Sequence, residues 1–267
     1  MKVKKSILTI AIIATAFAGC SARKQNGARG SIGPDTASND LVASDDFEDL
    51  DGLDDLEKEL DEGEARAVAD PIEGWNRGVF KFNDALYVWV ARPVLQGYKG
   101  VVPEPVRTGV RNSFDNLAMP VRGVNCLLQG KGKAAGTELN RFLINTTVGI
   151  LGIRDAASED YDIKAPPAED LGQTLAVWGL GEGCYLVWPL MGPSTLRDSG
   201  GAVGDYFLDP VTYIPPWTVR AGVSGVRAVN SGSFTMKEYD AIRKDAIDPY
   251  AAVRDGYTQY RDAQIKK

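Results

Sequence analysis

The sequence predicts a mostly α-helical single domain of short amphipathic helices with one β-hairpin-like loop. Three observations carry this: apolar residues recur at steps of three and four, Pro and Gly cut those runs short, and strand signals are confined to one stretch. The chain has 267 residues, 44% hydrophobic and 25% charged, which suits a globular body.

From Pro71 to Ala91 the residues Ile72, Trp75, Val79, Phe82, Leu86 and Val90 form a helical stripe. Asp70 is placed to cap it, Pro71 suits its first turn, and Arg92-Pro93 is expected to end it. Pro103 and Pro105 punctuate the next connection, and Val106 to Leu117 reads as a second helix closed before Pro120. Val121 to Leu128, Ala134 to Val148, Leu196 to Phe207 and Pro249 to Ile265 are further helices, the last with Tyr250, Val253, Tyr257 and Tyr260 along one stripe. The strand signal is Leu175–Trp178 and Tyr185–Trp188, joined by the loop Gly179–Gly183. Both runs are apolar on both faces, so the hairpin must be covered either by a protein core or by lipid, with Trp178 and Trp188 suited to an interfacial belt.

Ahead of this body stand two segments of another character. Lys2, Lys4 and Lys5 precede the apolar run Ile7–Phe17, which is too short for a spanning helix and reads as a signal peptide over residues 1–19. It ends in Phe17-Ala18-Gly19-Cys20, which resembles a bacterial lipobox despite Phe17 where Leu is usual; Cys20 is then the acylated first residue of the mature chain. Ser21, not Asp, follows, which by analogy with lipoprotein sorting in Gram-negative bacteria directs the chain to the outer membrane with its body facing the periplasm. Residues 20–69 read as a lipid-anchored, flexible, acidic tether with a reach of roughly 40 Å.

The formal charge of -6 arises from 30 basic and 36 acidic residues, of which 7 and 14 fall within residues 1–64. The remainder keeps 23 basic and 22 acidic residues, so the acidity belongs to the tether. Between Asp45 and Glu64, Phe47, Leu50, Leu53, Leu56 and Leu60 recur at helical spacing, which fits either a solvated spacer or an acidic amphipathic helix against a partner.

The chain contains no histidine, which removes Ser-His-Asp and Cys-His sites and imidazole metal centres. Cys20, Cys126 and Cys184 have no paired spacing for zinc, and no metal or cofactor is expected. Neither a nucleophile elbow nor a phosphate-binding glycine loop is present, and Gly200-Gly201-Ala202-Val203-Gly204 reads as a place where a helix packs closely on a neighbour. Carboxylates at Asp155, Glu159, Asp160, Asp162, Glu169 and Asp170 crowd the segment around Pro166-Pro167 and read as an exposed loop. Scattered basic residues without interleaved aromatics argue against nucleic-acid binding. An enzyme reading survives only as a lipid hydrolase using Ser199 or Ser224 with a carboxylate or Lys, and a scaffold reading only through the acidic segment.

Several motifs stand in one order: Asp70-Pro71-Ile72-Glu73-Gly74-Trp75-Asn76-Arg77, Phe80-Lys81-Phe82-Asn83, Val102-Pro103-Glu104-Pro105-Val106-Arg107, Leu128-Gln129-Gly130, Arg141-Phe142-Leu143-Ile144-Asn145-Thr146, Leu171-Gly172-Gln173-Thr174-Leu175 and Gly192-Pro193-Ser194-Thr195-Leu196-Arg197-Asp198. Over Asp70 to Tyr260 the sequence resembles the MlaA (VacJ) lipoprotein family of Gram-negative outer membranes. The resemblance implies a helical ring in the inner leaflet, an amphipathic channel for mislocalised phospholipids, association with an outer-membrane porin trimer and transfer to a soluble periplasmic lipid carrier. By the same resemblance Gly179 and Gly181 are the hinge of the channel's gating hairpin, and Phe80, Phe82 and Asn83 lie where the channel is held closed. Arg141 and Arg197 are candidate headgroup contacts or buried salt-bridge partners, and Cys126 and Cys184 are candidates for a disulfide in the oxidising periplasm. The acidic tether departs from the family pattern.

Overall fold

The computed structural model describes residues 68–267. The expected signal peptide, the Cys20 anchor and the acidic stripe Phe47–Leu60 lie outside those residues. Within them the chain is mostly helical with one two-stranded antiparallel sheet.

The first helix, α1 (Glu73–Leu86), begins without a side-chain cap; Asp70 instead accepts hydrogen bonds from Asn76 at 2.8 Å and from the Tyr250 hydroxyl. The expected stop at Arg92-Pro93 does not occur. A π-helical turn over Tyr87–Ala91 leads directly into α2 (Arg92–Val101), and Arg92 donates to the Tyr87 carbonyl five residues back. The wider turn places Pro93 in the opening turn of α2, where its missing N–H carries no penalty.

Helices α3 (Glu104–Leu117), α4 (Met119–Leu128) and α5 (Gly132–Thr147) follow. The α4–α5 turn needs a left-handed residue, and Gly130 supplies it at φ +74°. The Gly130 and Lys131 amides then donate to the Leu127 and Cys126 carbonyls, closing the helix end. After the short α6 (Ala156–Glu159) comes α7 (Leu171–Val177), capped by Asp170 at the Gln173 amide.

The hairpin is real but displaced from its expected position. Leu175–Val177 belongs to α7, and β1 (Tyr185–Trp188) pairs with β2 (Gly192–Thr195), Tyr185 opposite Thr195 and Trp188 opposite Gly192. The Asp170 cap and the buried faces of Gln173 and Thr174 draw the short apolar run into a helix, overriding its strand propensity. Gly192, at φ +86°, and Leu190, at φ +68°, make the turn.

Thr195 caps α8 (Leu196–Leu208), a 3-10 turn covers Pro210–Tyr213, and α9 (Trp217–Asp245) and α10 (Pro249–Ile265) complete the chain. The 29-residue α9 was not legible in the sequence. Its inward stripe is Ser224, Asn230, Ser233 and Met236, so a search for a buried apolar face passes over it. Asn230 and Ser233 are paired: the Tyr98 hydroxyl donates to Asn230 at 2.8 Å, Asn230 donates to the Arg107 carbonyl at 3.0 Å, and Arg107 donates to Ser233 at 2.9 Å.

One apolar cluster, Val68, Val79, Tyr185, Val187 and Tyr250, joins α1, the hairpin and α10, with Phe80 and Tyr257 packed against it. Phe80 meets Tyr250 edge-on at 5.7 Å between ring centres, and Tyr185 meets Tyr250 at 6.2 Å. Elsewhere Gly201 and Gly204 of α8 lie against Gly172 and Leu171 of α7, in the close-packing role expected of the 200–204 segment.

Candidate functional site: an outward apolar surface and a pinned hairpin

The partition of side chains is the reverse of a water-soluble domain. Among the described residues nineteen polar or charged residues are buried against twelve apolar ones, so the apolar material must be sought outside. It is there: Trp89 is 80% exposed, Val101 82% and Trp75 65%, and Trp178, Leu180, Phe207 and Trp217 also lie at the surface. Exposed aromatic and aliphatic side chains on this scale mark contact with lipid or protein. Among the described residues no helix is long and apolar enough to cross a membrane.

The hairpin is pinned along its length by α1. Asn76, fully buried, donates to the Tyr185 carbonyl at 3.0 Å and accepts the Val187 amide at 2.9 Å. Two helical turns later Asn83 donates to the Trp188 carbonyl at 2.9 Å and accepts the Leu190 amide at 2.7 Å. Ala69 accepts the Tyr185 amide at 2.9 Å from outside α1. The Trp188 indole donates to Ser199 at 2.9 Å, and the Ser199 and Ser194 hydroxyls are 2.9 Å apart. Phe80 packs inward while Phe82 is exposed, so of the three residues singled out around position 82 Asn83 alone touches the hairpin turn through its side chain.

Gly179 and Gly181 lie between α7 and β1 rather than in a hairpin turn. Gly179 sits at φ +89°, and a Cβ at either glycine would meet nothing within 4 Å. The loop is held at both sides of them: the Trp178 indole donates to the Leu128 carbonyl at 3.1 Å, and the Glu182 and Cys184 carbonyls accept from Arg197 and Leu196. Cys126 and Cys184 are both free thiols here.

Beneath the hairpin a buried charge network ties α7, α8 and α10 together. Arg261 donates to Asp198 at 3.0 Å from two nitrogens and to Asp170 at 2.6 and 3.0 Å. Arg197 and Tyr257 add hydrogen bonds to Asp198 at 2.9 and 2.7 Å. Burial opposes ionisation of Asp198, but the Arg261 charge and these hydrogen bonds outweigh it and hold the carboxyl at about 2. Asp205 lies nearby with the opposite balance. Burial pushes it up to about 6, only partly offset by the Leu171 amide and the Asn125 carboxamide that donate to it.

Arg197 is therefore engaged inside the protein, and so is Arg141, which donates to Asp155 at 2.8 and 2.9 Å and to the Ile163 carbonyl. The acidic residues read as an exposed loop are mostly ion-paired: Glu159 and Asp160 with Arg154, Glu169 with Lys131, Asp170 with Arg261. The sequence missed Asn76 and Arg261 as organising residues. Both have a legible signal, Asn76 at the seven-residue spacing to Asn83 and Arg261 on the inward stripe of α10. Among the described residues no cluster of metal-ligating side chains occurs.

A family model described as MlaA lipoprotein matches residues 68–264. The Escherichia coli protein named intermembrane phospholipid transport system lipoprotein MlaA is 32% identical over 196 residues, which cover 73% of this chain and 77% of that protein. A Haemophilus influenzae protein of the same name is 32% identical over 203 residues, covering 74% and 78%. A solved structure from work on the structural basis for maintenance of bacterial outer membrane lipid asymmetry superposes with a TM-score of 0.66 at 32% identity, covering 74% of this chain and 99% of that one. This chain belongs to the MlaA lipoprotein family.

Proposed function

We propose that this protein removes mislocalised phospholipids from the outer leaflet of the outer membrane and passes them inward, as a non-enzymatic conduit. The observation that carries the reading is the reversed partition of side chains, with exposed Trp75, Trp89 and Val101 outside and a hydrogen-bonded polar interior within. Family membership supplies the substrate class, since the similar proteins are named for phospholipid transport. Cys20 acylation anchors the chain in the inner leaflet facing the periplasm, residues 20–69 serve as its tether, and a porin trimer and a soluble lipid carrier are its partners. Gly179 and Gly181 act as the hinge through which the hairpin region moves. Direction comes from the downstream carrier, because passive conduction needs no nucleotide site.

In a deletion strain, phospholipid accumulates in the outer leaflet and sensitivity to detergent with chelator rises; normal outer-leaflet composition in that strain contradicts the proposal. The hydrogen bonds of Ser199 to the Trp188 indole and the Ser194 hydroxyl support the non-enzymatic reading, since neither partner is a general base. Purified protein releases no fatty acid or headgroup from phospholipid vesicles on this account.

A further inference from the structure

Thirteen arginines lie among the described residues, and ten of them form ion pairs there; Arg107, Arg111 and Arg220 do not. Arg220 donates to the Thr212 carbonyl at 2.6 Å and lies far from the other two. Arg107 and Arg111 are neighbours on one face of α3, separated by about 6 Å of helix rise. Their guanidinium carbons both lie over the Phe234 ring of α9, at 5.0 and 4.5 Å from its centre, so the two cations converge on one point.

Two like charges so placed repel, and the ring face offsets only part of that cost. Arg107 is moreover only 6% exposed, and a guanidinium at that depth ordinarily has a partner of opposite sign. Its Nε donates to the Val102 carbonyl at 3.2 Å and its Nη1 to the Ser233 hydroxyl at 2.9 Å. Nη2 has no partner among the described residues, yet it is not sealed from solvent. Arg111 forms no hydrogen bond among the described residues, so stacking on Phe234 fixes its plane and leaves its N–H edge free. Glu104 and Asp115 flank the pair along α3, and neither forms an ion pair among the described residues; the Arg111 charge reaches Asp115 only alongside those of Arg122 and Arg227. Free N–H groups on two guanidiniums, oriented by one ring and lacking a bonded carboxylate, suit one anion with several acceptor oxygens, which is a phosphate.

The Val102 carbonyl that holds Arg107 sits at the corner between α2 and α3, and an aliphatic stripe ends there. Val94, Gly97 and Val101 fall on one narrow face of α2 at steps of three and four, and both valines are exposed. A Cβ at Gly97 would meet nothing within 4 Å, so the face is an open lane with a bare middle. Its length of about 10 Å matches a substantial part of an acyl chain. Val106, also exposed, widens the corner beside Arg107. A phosphate clamp at the end of an aliphatic lane fits an amphipathic phosphodiester, whereas free phosphate would use the clamp and leave the lane empty.

We propose that Arg107 and Arg111 clamp the phosphate of a glycerophospholipid whose acyl chain lies along Val94, Gly97 and Val101. The site rests on the lipid-handling reading above and adds to it a place where one phospholipid is held by its phosphate. Arg141 and Arg197 leave that role open, because carboxylates inside the protein engage their guanidiniums.

The test is native mass spectrometry of the purified full chain in non-ionic detergent, titrated with dioleoyl phosphatidylethanolamine or with dioleoylglycerol, which has the same chains and no phosphate. The wild type binds its first phosphatidylethanolamine at least about tenfold more tightly than dioleoylglycerol, as charge-assisted hydrogen bonds to one phosphate require. Arg111→Gln breaks no hydrogen bond among the described residues; it weakens phosphatidylethanolamine about tenfold and leaves dioleoylglycerol and the melting temperature unchanged. Val101→Asn, at the exposed end of α2, weakens both lipids. Inorganic phosphate in millimolar excess fails to displace the bound phospholipid. Equal binding of the two lipids by the wild type, unchanged affinities in either variant, or displacement by inorganic phosphate overturns the site. A wild-type protein that retains no phospholipid of any kind overturns the lipid-handling reading itself.

Discussion

Asn76 and Asn83 stand two helical turns apart on one face of α1, and between them their carboxamides satisfy four backbone groups of the segment Tyr185–Leu190. Strand β1 is thereby paired on one side by β2 and on the other by side chains, which protects an edge that would otherwise be open. The two residues differ in depth, so they differ in consequence. Asn76→Ala leaves the buried Tyr185 carbonyl and Val187 amide without partners and lowers stability by about 3 kcal/mol. Asn83→Ala, at the exposed turn, costs about 1 kcal/mol and frees the tip locally. Hydrogen exchange separates them: Asn83→Ala accelerates exchange at Leu190 while Val187 stays protected, and equal acceleration at both positions would count against two independent pins.

Gly200 and Gly201 are sequence neighbours with opposite expectations. A Cβ at Gly200 meets nothing within 4 Å, so Gly200→Ala gains helix propensity and raises stability by up to about 1 kcal/mol. At Gly201 the Cβ would enter the Gly172 backbone, and Gly201→Ala forces α7 and α8 apart at a loss of about 1–3 kcal/mol. Thermal unfolding of the two variants, measured side by side in the same detergent, should move in opposite directions.

Arg261 supplies the charge that lets Asp198 ionise inside the protein. Arg261→Met strands that carboxylate with Arg197 and Tyr257 alone and destabilises the protein by about 3–5 kcal/mol at neutral pH. Combining it with Asp198→Asn recovers part of the loss, because the stranded Asp198 charge is removed while Arg197 gives up its carboxylate partner. A double variant as unstable as the sum of the singles would contradict the coupling.

Two carboxyls with opposite shifts give the stability curve two separate windows. Asp198 is held at about 2, below the usual value near 3.9, so its contribution is present above pH 4 and is lost as pH falls through 2. Asp205 is raised to about 6, so the folded state holds its proton more tightly than the unfolded chain does. That contribution is full below pH 4 and lost as pH rises through 6. Asp205→Asn removes the decline between pH 4 and pH 6, and melting temperatures taken across that interval should be flatter for the variant than for the wild type.

The helices that follow ordinary amphipathic patterning, such as Glu104–Leu117 and Pro249–Ile265, were legible almost to their ends. So was the packing role of Gly201 and Gly204. Three features were not, each for a physical reason. Pro93 reads as a terminator, but a π turn shifts the ladder and absorbs it. Leu175–Val177 reads as strand, but Asp170 caps it as helix. The longest helix, Trp217–Asp245, faces inward with Ser224, Asn230 and Ser233, and a pattern search tuned to apolar cores looks at its wrong side. The same reversal hides Asn76, which looks like a surface residue until the apolar surface is known to point outward, whereas Asn83 is singled out through the family resemblance alone.

The gated-conduit account is tested most directly by outer-leaflet phospholipid in deletion cells complemented with wild type or with Gly181→Pro. Position 181 has no left-handed backbone and no neighbour within 4 Å, so proline stiffens the loop without the distortion it would impose at Gly179, where φ is +89°. The account predicts full restoration of outer-leaflet composition by the wild type and persistent accumulation with Gly181→Pro, at equal expression and localisation. Equal restoration by both proteins would contradict it.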